Sequence, residues 1–252
     1  MAASFAAGAS VVELDIHPTL DGEFAVFHDW TLECRTNGQG VTRDLSMAAL
    51  KQLDVGYGYT ADDGRTYPFR GKGVGLMPTL DEVFTAFPGR QFLINIKSND
   101  PTEADRLIAY LTAHGRPTDK RLWVWAEGQP GDRLLELAPR AVVMSKARTK
   151  TCVLKYLALG WTGHVPQVCR QNLIAVPLNL RWAYWGWPNR LIARAEAADS
   201  GVMLVGPVGK GRTVGLTDPR QLDAIPDRFS GLVLTDEIET IGPATRSRWP
   251  NH

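Results

Sequence analysis

The chain is short of cysteine, of net charge and of long apolar runs, and each shortage closes off a class of protein. Its 252 residues hold three cysteines, Cys34, Cys152 and Cys169, with no CxxC pair and no metal-like spacing. The odd number disfavours a disulfide framework and predicts a reducing environment. The opening MAASFAAGASVV carries neither a basic n-region nor a long apolar h-region, so it does not read as a secretory signal, and a cytoplasmic location is expected. With 28 Lys+Arg against 27 Asp+Glu, the net charge of +1 argues against a protein whose main work is gripping nucleic acid. Apolar runs such as Val202–Val205 are strand-length, far short of the roughly 20 residues that span a bilayer. What is abundant is ordinary core material: 44% of the residues are hydrophobic, enough for a full core without staples.

Short apolar runs alternate with amphipathic stretches along most of the chain. Strands are expected at 11–17, 24–28, 92–97, 122–126, 141–145, 174–180, 203–208 and 231–235. Helices are expected at 46–53, 79–86, 102–113, 132–137, 149–159, 187–198 and 218–224, with Ser46 and Thr79 as N-caps and Glu82 completing a capping box. Near-continuous Val/Ile/Leu strands separated by helices predict a single domain with a parallel α/β barrel or open sheet. Two stretches break the rhythm: residues 56–77, rich in Gly, Tyr and Arg, read as a long loop or small insertion, and RWAYWGWP at 181–188 reads as a packed lid or a membrane-surface wedge.

The chemistry concentrates in VVELDIHPTLDGEFAVFHD. On a strand, Glu13, Asp15 and His17 share one face while Val12, Leu14 and Ile16 share the other. Two neighbouring inward carboxylates repel unless a cation or a proton lies between them, and oxygen ligands suit Mg²⁺ or Ca²⁺. His28, at the end of the next strand, is placed for acid–base work. Other readings are weaker. The stretch 206–213 imitates a phosphate-binding loop, but Gly215 and Pro219 leave no room for the helix such a loop needs, and GKGVG at 71–75 lacks dinucleotide spacing. Cys34, beside Arg35, reads as an ordinary thiol.

VELDIHPTLDG, FHDWTLECRTNG, MPTLDEVF, INIK and LVLTD together resemble the glycerophosphodiester phosphodiesterases. The resemblance implies a (β/α)₈ TIM barrel, a divalent cation (Mg²⁺ or Ca²⁺) and hydrolysis of a small-molecule phosphodiester to an alcohol and glycerol phosphate, through a cyclic phosphate. It assigns Glu13 and Asp15 to the metal, His28 to the general acid and Lys97 to the phosphate. Asn95 stands where the family has glutamate, an amide ligand without charge. The opening residues resemble the end of the family's first helix. The resemblance therefore implies that the first β/α unit, with a histidine, an arginine and a glutamate of the site, precedes Met1 by roughly 25–40 residues. A second reading is a degenerate barrel that binds a phosphorylated ligand without hydrolysing it, and a third is a phosphodiesterase of lysophospholipids in peripheral contact with a membrane. No nucleic-acid partner and no particular oligomeric state is implied.

Overall fold

The computed structural model describes residues 1–209 and 215–249. Helix α1 (Ala2–Ala7) leads into β1 (Val11–Pro18) and β2 (Phe24–Val26). Then come α2 (Met47–Leu50), α3 (Leu80–Ala86), β3 (Gln91–Ile96), α4 (Thr102–Ala113), β4 (Trp123–Ala126), α5 (Gln129–Leu137), β5 (Val142–Met144) and α6 (Lys146–Leu159). The last third holds β6 (Leu173–Pro177), α7 (Asn189–Glu196), β7 (Gly201–Val205), β8 (Leu232–Val233) and α8 (Ile238–Arg248). The strands form a five-stranded sheet, β2-β1-β3-β4-β5, and a three-stranded sheet, β6-β7-β8. All ladders are parallel except β1 with β2. The Val143 amide donates to the Gln171 carbonyl at 2.9 Å, bringing β5 beside the approach to β6.

Alternation along the strands sorts two apolar layers. Leu14, Ile16, Ile94, Ile96 and Val124 face the helices. Leu93, Val142, Met144, Leu173, Met203 and Val205 face inward and fill the middle of the barrel. On the remaining side, β1 and β8 bound a cavity of about 630 Å³ that includes Val12, Glu13, Leu232 and Leu234, with α1 and α8 beneath it. Gly242 lets those helices meet: a Cβ there would lie 2.1 Å from the Ala7 carbonyl oxygen. A larger groove, about 720 Å³, lies outside the barrel against α4 and contains none of the candidate catalytic residues.

The expected caps form: the Glu82 amide donates to Thr79 Oγ1 at 3.0 Å while Glu82 Oε2 accepts from the Thr79 amide, and Ser46 caps α2. The loop at 56–77 folds around Asp54, whose carboxylate accepts from the amides of Gly56, Gly71 and Gly73. Gly73 is required there, since a Cβ would lie 2.5 Å from Asp54 Oδ1. These bonds hold the Asp54 carboxyl below its usual range.

Three expectations are corrected. The helix expected at 218–224 is a 3-10 turn, Pro219–Ala224. Helix α8 lies beyond the expected helices; it forms across an internal Gly242-Pro243, held by its contact with α1. The expected absence of disulfides fails at Cys152–Cys169, which joins α6 to the chain before β6. An odd count leaves one cysteine over, here the exposed Cys34, but does not prevent the other two from meeting in a core where both are fully buried.

Candidate active site

The inward row of β1 carries the site because β1 and β3 run parallel in fixed register. Glu13 lies opposite Leu93 and Asp15 opposite Asn95, so of these two inward carboxylates Asp15 meets a polar side chain of β3. Asn95 Nδ2 donates to Asp15 Oδ1 at 2.9 Å, and Lys97 Nζ lies 2.8 Å from the same oxygen. Lys97, one pleat above Asn95 and just past β3, thus lies in the barrel mouth paired with Asp15. Four of the five expected site residues therefore converge on two neighbouring strands.

Glu13 lines the open cavity between β1 and β8. Glu13 is exposed to this cavity but crowded by protein on its other sides; that partial desolvation first, and then the Asp15 carboxylate, push its carboxyl up to about 7, while Asn95 and Lys97 pull the other way without prevailing. One ammonium therefore does not balance the two carboxylates, which is the electrostatic condition for a bound cation. The donor set of Glu13, Asp15 and Asn95 fits a hard divalent ion as a partial shell, completed by water or substrate oxygens. Among the described residues, no group of three His, Cys, Asp or Glu side chains converges to hold a metal.

His28 sits just beyond β2, which folds back antiparallel on β1 so that the Phe27 amide donates to the Asp15 carbonyl at 3.1 Å. Its Nδ1 lies 2.7 Å from Asp29 Oδ1, leaving Nε2 to face outward from a ring that is 67% exposed. Arg35 Nε donates to the other Asp29 oxygen at 3.1 Å, and its guanidinium stacks 4.6 Å from the Tyr59 ring centroid. Through Arg35, the loop at 56–77 is tied to the orientation of His28. Asp29, next to His28 in the chain, and Arg35, next to Cys34, take these parts through tertiary contacts. Glu127 was missed: it accepts from Trp125 Nε1 at 2.9 Å and from the Lys146 amide at the start of α6. The period-two series Trp123, Trp125, Glu127 was the available signal.

His17 has a different part. It is 1% exposed, its ring lies 5.3 Å from that of Trp30, and its Nε2 has no partner among the described residues. Burial above all lowers its pKa to about 4, against the smaller upward pull of the His28 backbone. A buried neutral imidazole supports the backbone beneath His28 rather than exchanging protons at the surface. The folded pKa lies below the usual 6.5, so this stability is fully present above pH 6.5 and is lost as pH falls toward 4. Glu13 titrates with the opposite sign in an overlapping window, so the informative quantity is the difference between wild type and His17→Asn. Between pH 7.5 and 5.5, wild type should lose about 1.4 kcal/mol more stability than the variant in denaturant titrations. Parallel losses would remove His17 as the source.

The P-loop-like stretch at 206–213 lies partly outside the described residues. The aromatic run divides: Tyr184 is buried, Trp187 packs 5.3 Å from Phe229, and Trp182 and Trp185 are exposed.

Residues 1–153 match the glycerophosphoryl diester phosphodiesterase family. A glycerophosphodiester phosphodiesterase of Caldanaerobacter subterraneus is 37% identical over 90 residues, 36% of this chain and 33% of that protein. One from Bacillus subtilis is 38% identical over 112 residues, 42% and 37% of the two chains. The chain thus spans about a third of the length of these curated relatives. The solved phosphodiesterase domain of a Mycobacterium tuberculosis protein superposes over 98% of this chain and 91% of its own, with a TM-score of 0.65 at 16% identity, a likeness of fold. With the family matched over more than half the chain and its TIM-barrel architecture reproduced, the chain belongs to the glycerophosphoryl diester phosphodiesterase family.

Proposed function

We propose that this protein hydrolyses a glycerophosphodiester to an alcohol and glycerol phosphate with the help of a divalent cation. The observation that carries the reading is the convergence of Glu13, Asp15, Asn95 and Lys97 at the mouth of a parallel barrel, beside a histidine held by Asp29. Glu13 and Asp15, with Asn95, would hold the cation, which supplies positive charge to the non-bridging phosphate oxygens. Lys97 adds a second positive charge on the same side. With its Nδ1–H held by Asp29, the imidazolium form of His28 would give its Nε2 proton to the departing alkoxide oxygen as that oxygen's bond to phosphorus breaks and an attacking hydroxyl oxygen, of the substrate's glycerol or of water, forms the new bond to phosphorus.

The test is phosphodiester hydrolysis by the 252-residue chain over a panel of glycerophosphodiesters, with Mg²⁺ or Ca²⁺ and with a chelator. Metal-dependent turnover is expected. Absence of turnover together with retained binding of glycerol phosphate would support the degenerate, ligand-binding barrel instead, a reading favoured by the lack of a third His, Cys, Asp or Glu beside Glu13 and Asp15 among the described residues.

Cation affinity is a separate readout. Glu13 must lose its proton to serve as a ligand, and that proton leaves near pH 7. Calorimetric affinity should therefore fall about tenfold per pH unit below 7 and level off above it. Glu13→Gln should weaken binding about tenfold or more and flatten this dependence. An unchanged affinity would remove Glu13 from the cation site.

A further inference from the structure

Charge is distributed along this chain far less evenly than its total implies. Between Glu136 and Glu196 lie nine lysines and arginines and no acidic residue, so the remainder carries 19 basic against 27 acidic side chains. Every salt bridge among the described residues is made by a cation outside this segment. Some of its arginines are spent on the fold: Arg148 donates to the Gln171 carbonyl and Arg194 to that of Gly160. Lys150, Lys155 and Arg190 are exposed and uncompensated.

The same segment exposes large apolar side chains. On α6, Leu154 is exposed between Lys150 and Lys155, Leu159 is exposed at the helix end, and Trp161 follows directly at 67% exposure. The loop after β6 adds Trp182, at 76%, and Trp185. This presentation is rigid. Tyr184 OH donates to the Ala175 carbonyl at 3.0 Å, Trp185 Nε1 donates to the Leu157 carbonyl at 2.8 Å, and Tyr156 OH donates to the Trp185 carbonyl at 2.7 Å. The loop is thereby fastened to the last turns of α6, with Trp182 turned outward.

We infer that this face, α6 with the tryptophan-rich loop, docks on the surface of an anionic phospholipid bilayer. Tryptophan and leucine flanked by unpaired lysines is the composition that enters the headgroup region, where indole rings partition favourably and cations meet lipid phosphates. Exposed tryptophans beside lysines also stack on nucleic-acid bases; what favours lipid is the exposed Leu154 and Leu159, which enter a headgroup region and offer bases nothing. Contact is peripheral, since no helix among the described residues is long and apolar enough to cross a membrane. The inference is independent of the hydrolytic reading, because it uses none of the residues of the barrel mouth.

The test is co-sedimentation of the full chain with vesicles of phosphatidylcholine alone or with about 30 mol% phosphatidylglycerol. Partitioning to the anionic vesicles should be about tenfold stronger or more, and should weaken as salt is raised. The paired change Lys150→Glu with Lys155→Glu should reduce it about tenfold and abolish the preference for anionic lipid. Trp161→Ala with Trp182→Ala should reduce partitioning about tenfold while the far-ultraviolet circular dichroism is unchanged, since both side chains lie outside the core. Equal partitioning to the two vesicle types, or unaltered binding by both variant pairs, would overturn the inference. So would a single-stranded oligonucleotide bound in preference to vesicles, or self-association through the same tryptophans without vesicle binding.

Discussion

Replacing His28 by alanine should lower turnover of a glycerophosphodiester by about 100-fold or more, because general-acid assistance to a poor alkoxide leaving group is commonly of that size. The prediction rests on geometry. His28 is exposed, with Nδ1 directed to Asp29 and the opposite nitrogen free to face substrate, while His17 is buried, neutral and two strand positions beyond Asp15. Asp29→Asn should act through the ring's orientation and tautomer, giving a smaller fall in kcat at nearly unchanged KM. Diesters with more acidic leaving alcohols should lose less activity in His28→Ala, since they need the proton less. Near-normal turnover by the variant, or a loss independent of leaving-group acidity, would place the acid elsewhere.

Removing the Cys152–Cys169 disulfide should cost about 3 kcal/mol of stability, the loop-closure entropy of a crosslink across a sequence separation of 17 residues. For a chain of this size, that corresponds to a fall in Tm of about 6–12 °C. Cys152→Ser with Cys169→Ser, followed by calorimetry, measures it, and wild type treated with a thiol reductant after unfolding should match the variant. Both cysteines are fully buried in the core beneath α6, so reductant should have little effect on the native protein. The loss should also reach the tryptophan-rich face, because α6 carries the carbonyl to which Trp185 is fastened. A variant as stable as wild type would show that packing alone holds α6 against β6.

Local patterns carried a large part of this fold to the reader of the sequence. The alternation in VVELDIHP set Glu13 and Asp15 on one face of β1 and Leu14 and Ile16 on the other, and the structure keeps that division. The Thr79–Glu82 capping box is a local bond pair and forms where the sequence places it. Thr102–Ala113 is helical over its full expected span because its apolar positions recur at helical spacing. The motifs also led to the family, because VELDIHPTLDG, FHDWTLECRTNG and INIK resemble its pattern within the residues that match it.

What depended on residues far apart in the chain stayed out of reach. Gly242-Pro243 breaks a helix by propensity, yet α8 forms because that glycine admits the Ala7 carbonyl. No spacing rule joins Cys152 to Cys169; the approach of α6 to the start of β6 does. Lys97 is paired in the barrel mouth because parallel register lays Asn95 beside Asp15 and brings Lys97 to the same carboxylate. The sequence by itself determined which side chains of β1 share a face and where the capped helices begin, because strand periodicity and capping act over a few residues. The tertiary structure alone decided Glu13's elevated pKa, His17's burial and the exposure of Trp182, because desolvation and charge coupling depend on what the rest of the chain brings alongside.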